Sequence, residues 1–209
     1  MKILLADDHA MLRSGLKLML AEAFPTVVFG EAETSQQALD EALSHPWDFI
    51  ILDISMAGRG GLDVLKELRT QRVKTPILML SMYTERQFAI RAFRAGANGY
   101  LTKASAGAEL IRAVEHILAG GHYVSAQLAE HLASVLSGAG GGMAHERLSD
   151  REFEIMRLIA SGKTVKEMAV ELSLSSNTIS TYRTRILEKM KMRTNAELTH
   201  YTISNKLIE

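Results

Sequence analysis

The sequence has no cysteine. That excludes disulfides, thiolate chemistry and Cys-based zinc sites, and it fits a reducing compartment. It has no uninterrupted apolar run of the roughly 20 residues a membrane-spanning helix needs. The opening Met1-Lys2-Ile3-Leu4-Leu5-Ala6-Asp7-Asp8 turns acidic too soon for a signal peptide. Several enzyme signatures are missing as well: no nucleophile elbow, no complete Gly-Lys-Ser/Thr phosphate loop and no dinucleotide fingerprint. Net charge is also absent, with 24 Lys and Arg against 24 Asp and Glu. These absences predict a cytoplasmic protein without membrane association.

The neutral total hides an uneven distribution. From Glu146 onward there are 11 Lys and Arg against 9 Asp and Glu, which leaves 13 against 15 before it, or +2 and −2. Arg183, Arg185, Lys189, Lys191 and Arg193 share one stretch with a single acid, Glu188. A basic patch inside a neutral chain suits phosphate contact, although many such patches are plain solvated helix faces.

With 209 residues the chain has room for two small domains. Short apolar runs at Ile3–Ala6, Val27–Gly30, Phe49–Leu52, Ile77–Leu80 and Gly99–Leu101 read as buried strands. Amphipathic stretches around Leu12–Phe24, Ser35–Leu43, Leu62–Arg69, Gln87–Arg94 and Ala108–Leu118 alternate with them. That alternation predicts an α/β fold, a doubly wound five-stranded parallel sheet covered on both faces, over residues 1–120. Residues 121–145 read as a linker, Gly-rich at 138–142. Beyond it, over 146–209, the periodicity is purely helical. Ser149 with Glu152, Thr164 with Glu167 and Thr194 with Glu197 have capping-box spacing, and Ser175 reads as a further N-cap. The second domain is therefore expected to be four helices.

Polar residues interrupt the strand pattern at corresponding places. Asp7 and Asp8 follow the first strand, Asp53 the third, Ser81 the fourth and Lys103 the fifth. In a parallel sheet these carboxyl ends lie along one edge, where open α/β sheets place their ligands. Three carboxylates crowded together resist ionisation unless a cation joins them. A hard, oxygen-liganded ion such as Mg²⁺ resolves that conflict. With Lys103 as a second positive charge and Ser81 as a hydroxyl donor, the set suits a tetrahedral dianion. Asp53 is then a candidate nucleophile toward phosphorus.

Asp7-Asp8-His9, Leu52-Asp53-Ile54-Ser55-Met56, Ser81 and Ala95-Gly96-Ala97-Asn98-Gly99-Tyr100-Leu101-Thr102-Lys103 resemble the receiver domain of two-component response regulators. The resemblance implies that Asp53 receives a phosphoryl group from a sensor histidine kinase. It further implies that Asp8, Asp53 and the backbone carbonyl of Ser55 hold Mg²⁺, with Asp7 nearby or acting through water. Ser81 and Tyr100 are the implied switch pair. Two positions depart from the family pattern: Ala57 stands where proline is frequent, and Gly60 where an acid or amide is frequent. With Gly58, Gly60 and Gly61 this loop is expected to be looser than usual. The peptide after the family's lysine is commonly cis; here it is Lys103–Ala104.

In the helical domain, Val165–Leu172, the turn Ser173-Leu174-Ser175 and a helix from Ser176 to about Met190 have helix-turn-helix spacing. At about 100° per residue, Asn177, Ser180, Thr181 and Thr184 share one face, while Ile179, Ile186 and Met190 share the other. Arg183, Arg185 and Lys189 flank the polar face within reach of phosphates. The runs Leu148-Ser149-Asp150-Arg151-Glu152, Lys166-Glu167-Met168-Ala169 and Thr178-Ile179-Ser180-Thr181-Tyr182-Arg183 resemble the LuxR-type DNA-binding domain. Joined to a receiver, it defines the NarL/FixJ subfamily. The resemblance implies base reading by Ser180, Thr181 and Thr184, with Asn177 on the same face. It implies backbone contacts from Thr178, Tyr182, Arg183, Arg185 and Lys189. It also makes Asn195–Ser204 a dimerisation helix, whereas its apolar residues would equally serve packing within their own domain.

The resulting expectation is a response regulator and not an enzyme, with at most slow loss of its own phosphate. Its expected partners are a sensor histidine kinase, double-stranded promoter DNA and, when active, a second copy of itself. The alternative is a transcription factor of the same architecture that ignores phosphate.

Overall fold

Every apolar run of the first half becomes a strand of one sheet. The computed structural model describes residues 1–56, 60–82, 85–125, 128–129, 144–205 and 207–208. Strands and helices alternate as β1 (Lys2–Ala6), α1 (Ala10–Ala23), β2 (Val28–Ala32), α2 (Ser35–Ser44), β3 (Phe49–Asp53), α3 (Gly61–Thr70), β4 (Ile77–Ser81), α4 (Glu85–Arg94), β5 (Gly99–Thr102) and α5 (Ala106–Leu118). The sheet order is β2-β1-β3-β4-β5, and every pair is parallel. Central strands β3 and β4 are buried at every position, which is why they read as unbroken apolar runs and not as alternating ones. Ile51, Leu80, Leu20 and Val114 meet in the core between the sheet, α1 and α5. Each such side chain contributes about 1.5–3 kcal/mol on burial. The register pairs Ala6 with Leu52, Asp53 with Leu80 and Ser81 with Thr102, so the carboxyl ends of these strands finish level.

Two inserted side chains fasten the loops. Trp47 lies over Gly30, where an added Cβ would come within 2.1 Å of the indole, and its Nε1 donates to the carbonyl of Glu41. Arg69 donates to the carbonyls of Gly96, Val73 and Thr75 and to Oδ1 of Asn98. Burial lowers the Arg69 pKa. Gly96, at φ +98, must lack a side chain, because a Cβ there would touch the Arg69 stem at 3.0 Å.

The chain divides into two compact units, Met1–Ala133 and Ser134–Glu209. The first continues beyond Gly120, where the sequence suggested a linker. Tyr123 makes a parallel bridge with Gly99, its amide donates to the carbonyl of Asn98, and its hydroxyl donates to Glu109. This segment therefore covers the outer edge of β5, and a chain docked on an exposed strand leaves fewer backbone groups unpaired. The Gly-rich stretch 138–142, Ala57 and Gly58 lie outside the described residues. Among the described residues no peptide is cis, so Lys103–Ala104 is trans.

In the second unit a 3₁₀ turn (Ala144–Arg147) precedes α6 (Asp150–Ala160), α7 (Val165–Glu171), α8 (Ser176–Met190) and α9 (Asn195–Ser204). Ser149, Thr164, Ser175 and Thr194 all cap helices through their side chains. The boxes at Ser149 and Thr164 are reciprocal. The third is not: Glu197 accepts from the amide of Arg193. Thr194 has φ −133, against −63 and −73 at the other two caps. Gly162, at φ +82, ends α6 two residues before the Thr164 cap. Ser173, at φ 52, makes the turn between α7 and α8. No helix among the described residues is long and apolar enough to cross a membrane.

Candidate functional site

The level strand ends bring the predicted pocket residues together. Asp53 is the last residue of β3 and wholly buried, Ser81 the last of β4 and likewise buried, and Asp7 follows β1 at 2% exposure. Lys103 Nζ donates to Asp53 Oδ2 at 2.8 Å and lies 2.7 Å from Asp7 Oδ2. The second approach is an ion pair without hydrogen-bond alignment, so Asp7 Oδ2 is buried with no aligned donor. Asp53 Oδ1 accepts from the amide of Ser55 at 3.2 Å. The amide of Lys103 donates to the carbonyl of Ser81, which sets the start of the β5–α5 loop against β4. Tyr100 is fully buried within β5, opposite Met79.

His9 joins this group although the sequence marked it only as a neighbour of two acids. Its Nδ1 lies 2.7 Å from Asp8 Oδ1 and 3.2 Å from Asp7 Oδ1, and its amide donates to Asp7 Oδ1. One potential ligand atom from each of Asp7, Asp8, His9 and Asp53 falls within 4.8 Å of the others. Burial pushes the Asp53 carboxyl up to about 6, against the pull of Lys103 and with the help of Asp7. The Lys103 pKa is raised as well, for a different reason. Burial disfavours its charge, but Asp53 and Asp7 outweigh that and raise its pKa.

Of the glycine-rich stretch after β3, Gly61 makes a close backbone approach. A Cβ on Gly61 would lie 1.9 Å from the carbonyl oxygen of Asp53, and the Gly61 amide donates to the carbonyl of Ile54. Gly61 therefore lets α3 begin directly against the backbone of Asp53. Its role is close approach.

A second site occupies α8. Ile179, Ile186 and Met190 are buried, as are Leu158, Ile159, Met168 and Leu172 of the supporting helices and turn. Asn177, Ser180, Thr181, Thr184, Arg185 and Lys189 are exposed, while Thr178, Tyr182 and Arg183 are half-buried. The hydroxyls of Ser180, Thr181 and Thr184 each donate to the carbonyl four residues earlier. Thr178 Oγ1 is 2.8 Å from the Ser175 capping hydroxyl. Two of the expected phosphate-contacting cations carry internal bonds: Lys189 Nζ pairs with Glu152 Oε2 at 2.6 Å, and Arg183 Nε donates to Asn195 Oδ1. Burial opposes ionisation of Glu152, yet Lys189 and the Ser149 amide together hold its pKa below the ordinary value. In α9, Leu198 and Thr202 are buried within the domain, while Ala196 and Ile203 are exposed.

Sequence reasoning missed Arg13 as well. Its side chain is 6% exposed, and it donates to the carbonyl of Asp7 and to Glu31 and Glu33. An Arg in an amphipathic helix looks like a surface residue until the β2 register is known.

Comparison with known proteins agrees with this geometry. Residues 3–115 match the family "Response regulator receiver domain", and residues 146–202 match "Bacterial regulatory proteins, luxR family". The chain is similar to the response regulator UvrY of Escherichia coli strain K12, at 32% identity over 98% of this chain and 94% of UvrY. It is similar to the transcriptional activator protein ExaE of Pseudomonas putida, at 35% identity over 100% and 98% of the two chains. The solved structure of the Salmonella typhimurium RcsB response regulator aligns at 25% identity with a TM-score of 0.59, covering 98% of this chain and 99% of that one. The chain therefore belongs to the two-component response regulators of the NarL/FixJ type, a receiver domain joined to a LuxR-type DNA-binding domain.

Proposed function

We propose that this response regulator takes a phosphoryl group onto Asp53 from the phosphohistidine of a sensor histidine kinase, and that the modification controls its binding to double-stranded promoter DNA in the cytoplasm. The observation that carries the reading is the Lys103 ammonium 2.8 Å from a fully buried Asp53 carboxylate, with Asp7 on its other side. An Asp53 oxygen attacks phosphorus, the P–N bond to histidine breaks, and its electron pair stays on the imidazole. Lys103 neutralises the transferred oxygens, and the Ser81 hydroxyl hydrogen-bonds one of them.

The pocket suits a hard divalent cation. Three of the four clustered donors are carboxylates, with the His9 imidazole beside them, and the buried Asp7 Oδ2 lacks an aligned donor. Asp8, Asp53 and the Ser55 carbonyl are the residues that would hold Mg²⁺, with Asp7 alongside or through water. When bound, the ion supplies charge neutralisation for the phosphoryl oxygens. Ser81 and Tyr100 form the switch pair. No turnover of an external substrate is expected, only slow hydrolysis of the aspartyl-phosphate.

On DNA, Asn177, Ser180, Thr181 and Thr184 face the bases, and Thr178, Tyr182, Arg183, Arg185 and Lys189 lie toward the backbone. RcsB, which interacts with DNA, and the transcriptional activator ExaE support this half of the reading. The active form is a homodimer on paired half-sites. The test is binding to promoter DNA by wild type and Asp53→Asn, each with and without acetyl phosphate. Only phosphodonor-treated wild type should gain affinity. Equal affinity in all four arms would leave a phosphate-independent transcription factor instead.

A further inference from the structure

Arg13 lies one turn into α1, beneath the loop that carries Asp7 and Asp8, and touches no atom of the phosphoryl chemistry. Its Nη1 donates to the carbonyl of Asp7 at 2.7 Å, Nε to Glu31 Oε2 at 3.1 Å and Nη2 to Glu33 Oε1 at 2.5 Å. The amide of Asp7 donates to the carbonyl of Ala32 at 3.0 Å. The peptide units on both sides of the Asp7 Cα are thus fixed to the end of β2, one directly and one through the guanidinium. The guanidinium is itself aimed by two carboxylates. Its planar fork serves three acceptors in different directions, which an ammonium on a flexible stem does not match.

Charge explains why two acids are present. Lys17 also pairs with Glu31, so two cations face two acids and the cluster sums to zero. A buried guanidinium one residue from the acidic pocket would otherwise repel a divalent cation. Burial disfavours the Arg13 charge, and Glu31 and Glu33 more than compensate.

We propose that Arg13 is a positioning residue for divalent-cation binding: it holds the Asp7 backbone so that Asp7 and Asp8 are already placed for the ion, and Glu31 and Glu33 cancel its charge. This rests on the reading of the pocket as a cation site. Removing a group that orients a metal ligand commonly costs about 10–100-fold in affinity.

The test titrates Mn²⁺ into the full chain and follows free ion by electron paramagnetic resonance, for wild type, Arg13→Met, Arg13→Lys and Glu33→Gln. Arg13→Met should raise the Mn²⁺ Kd about tenfold at unchanged stoichiometry. Arg13→Lys should recover only part of this, and Glu33→Gln should shift Kd in the same direction by less. In acetyl phosphate reactions the half-saturating Mg²⁺ concentration should rise in step with Kd, while the rate at saturating Mg²⁺ stays within about twofold of wild type. A residue with only a structural role would reduce the number of sites and the maximal rate at an unchanged midpoint, and that result overturns the proposal. If Arg13→Met does not fold, Glu33→Gln decides: an unchanged Kd sinks the idea. Wild type that binds no Mn²⁺ sinks the cation-site reading itself, a separate outcome.

Discussion

Replacing Asp53 by Asn removes the one carboxylate of the receiver that is completely buried among the described residues. Burial, aided by Asp7 and opposed by Lys103, lifts its pKa from 3.8 to about 6. At ~1.36 kcal/mol per pH unit, that difference is worth about 3 kcal/mol between the two protonation states. The folded chain holds the proton more tightly than the unfolded chain. The associated stability is therefore fully present below the unfolded pKa and is lost as pH rises through about 6. Asn mimics the protonated acid at every pH. In metal-free buffer, its advantage over wild type should be small near pH 4 and reach about 3 kcal/mol near pH 7.5. Urea unfolding followed by fluorescence reads this cleanly, because the single tryptophan, Trp47, sits in the receiver and reports on that unit alone. With m near ~2 kcal/mol/M the midpoint should move by roughly 1.5 M. Excess Mg²⁺ should narrow the gap by stabilising wild type. A difference that does not depend on pH between 4 and 7.5, or an Asn variant less stable than wild type at pH 7.5, would refute the account of the pocket's electrostatics.

Gly61→Ala should destabilise the receiver by more than ~2 kcal/mol, because the new methyl meets the Asp53 carbonyl. Gly15→Ala on the open face of α1 should stabilise by about 0.5–1 kcal/mol, and the same urea assay measures both. Lys189→Met should lower the stability of the helical unit by about 1 kcal/mol, because it strands the buried Glu152 carboxylate while Lys189 itself is half in solvent. Arg185→Ala should flatten the log–log salt dependence of DNA binding by about one, and Lys189→Met should flatten it by less, because Lys189 is shared with Glu152. Thr164→Ala should cost about 1 kcal/mol through loss of the α7 cap, seen as a lower thermal midpoint by circular dichroism.

The elements themselves were legible because local chemistry and burial agree. Unbroken apolar runs became the buried central strands, and Ser149, Thr164 and Ser175 mark helix starts that the backbone then adopts. Asp53, Ser81 and Lys103 could be grouped because a parallel sheet fixes which strand ends are neighbours. What escaped depends on register and depth. Arg13 acquires meaning only when β2 presents Glu31 and Glu33 beside it. Lys189 reads as a free cation until α8 lies against α6 and brings it to Glu152. The Thr194 box closed one amide early, on Arg193, which no spacing rule encodes. Tyr123 looked like linker because one aromatic gives no strand periodicity of its own.

The seat of Gly61 against Asp53 has a mechanical side. With no methylene as a cushion, the first turn of α3 and the peptide carrying the acceptor carboxylate bear on one another at hard contact. Tilting that helix by even a few tenths of an ångström must displace the acceptor's own main chain, and swelling at the acceptor must push back on the helix. Gly61 is thus less a slack hinge than a thrust bearing, and sequence drift cannot give that position a side chain.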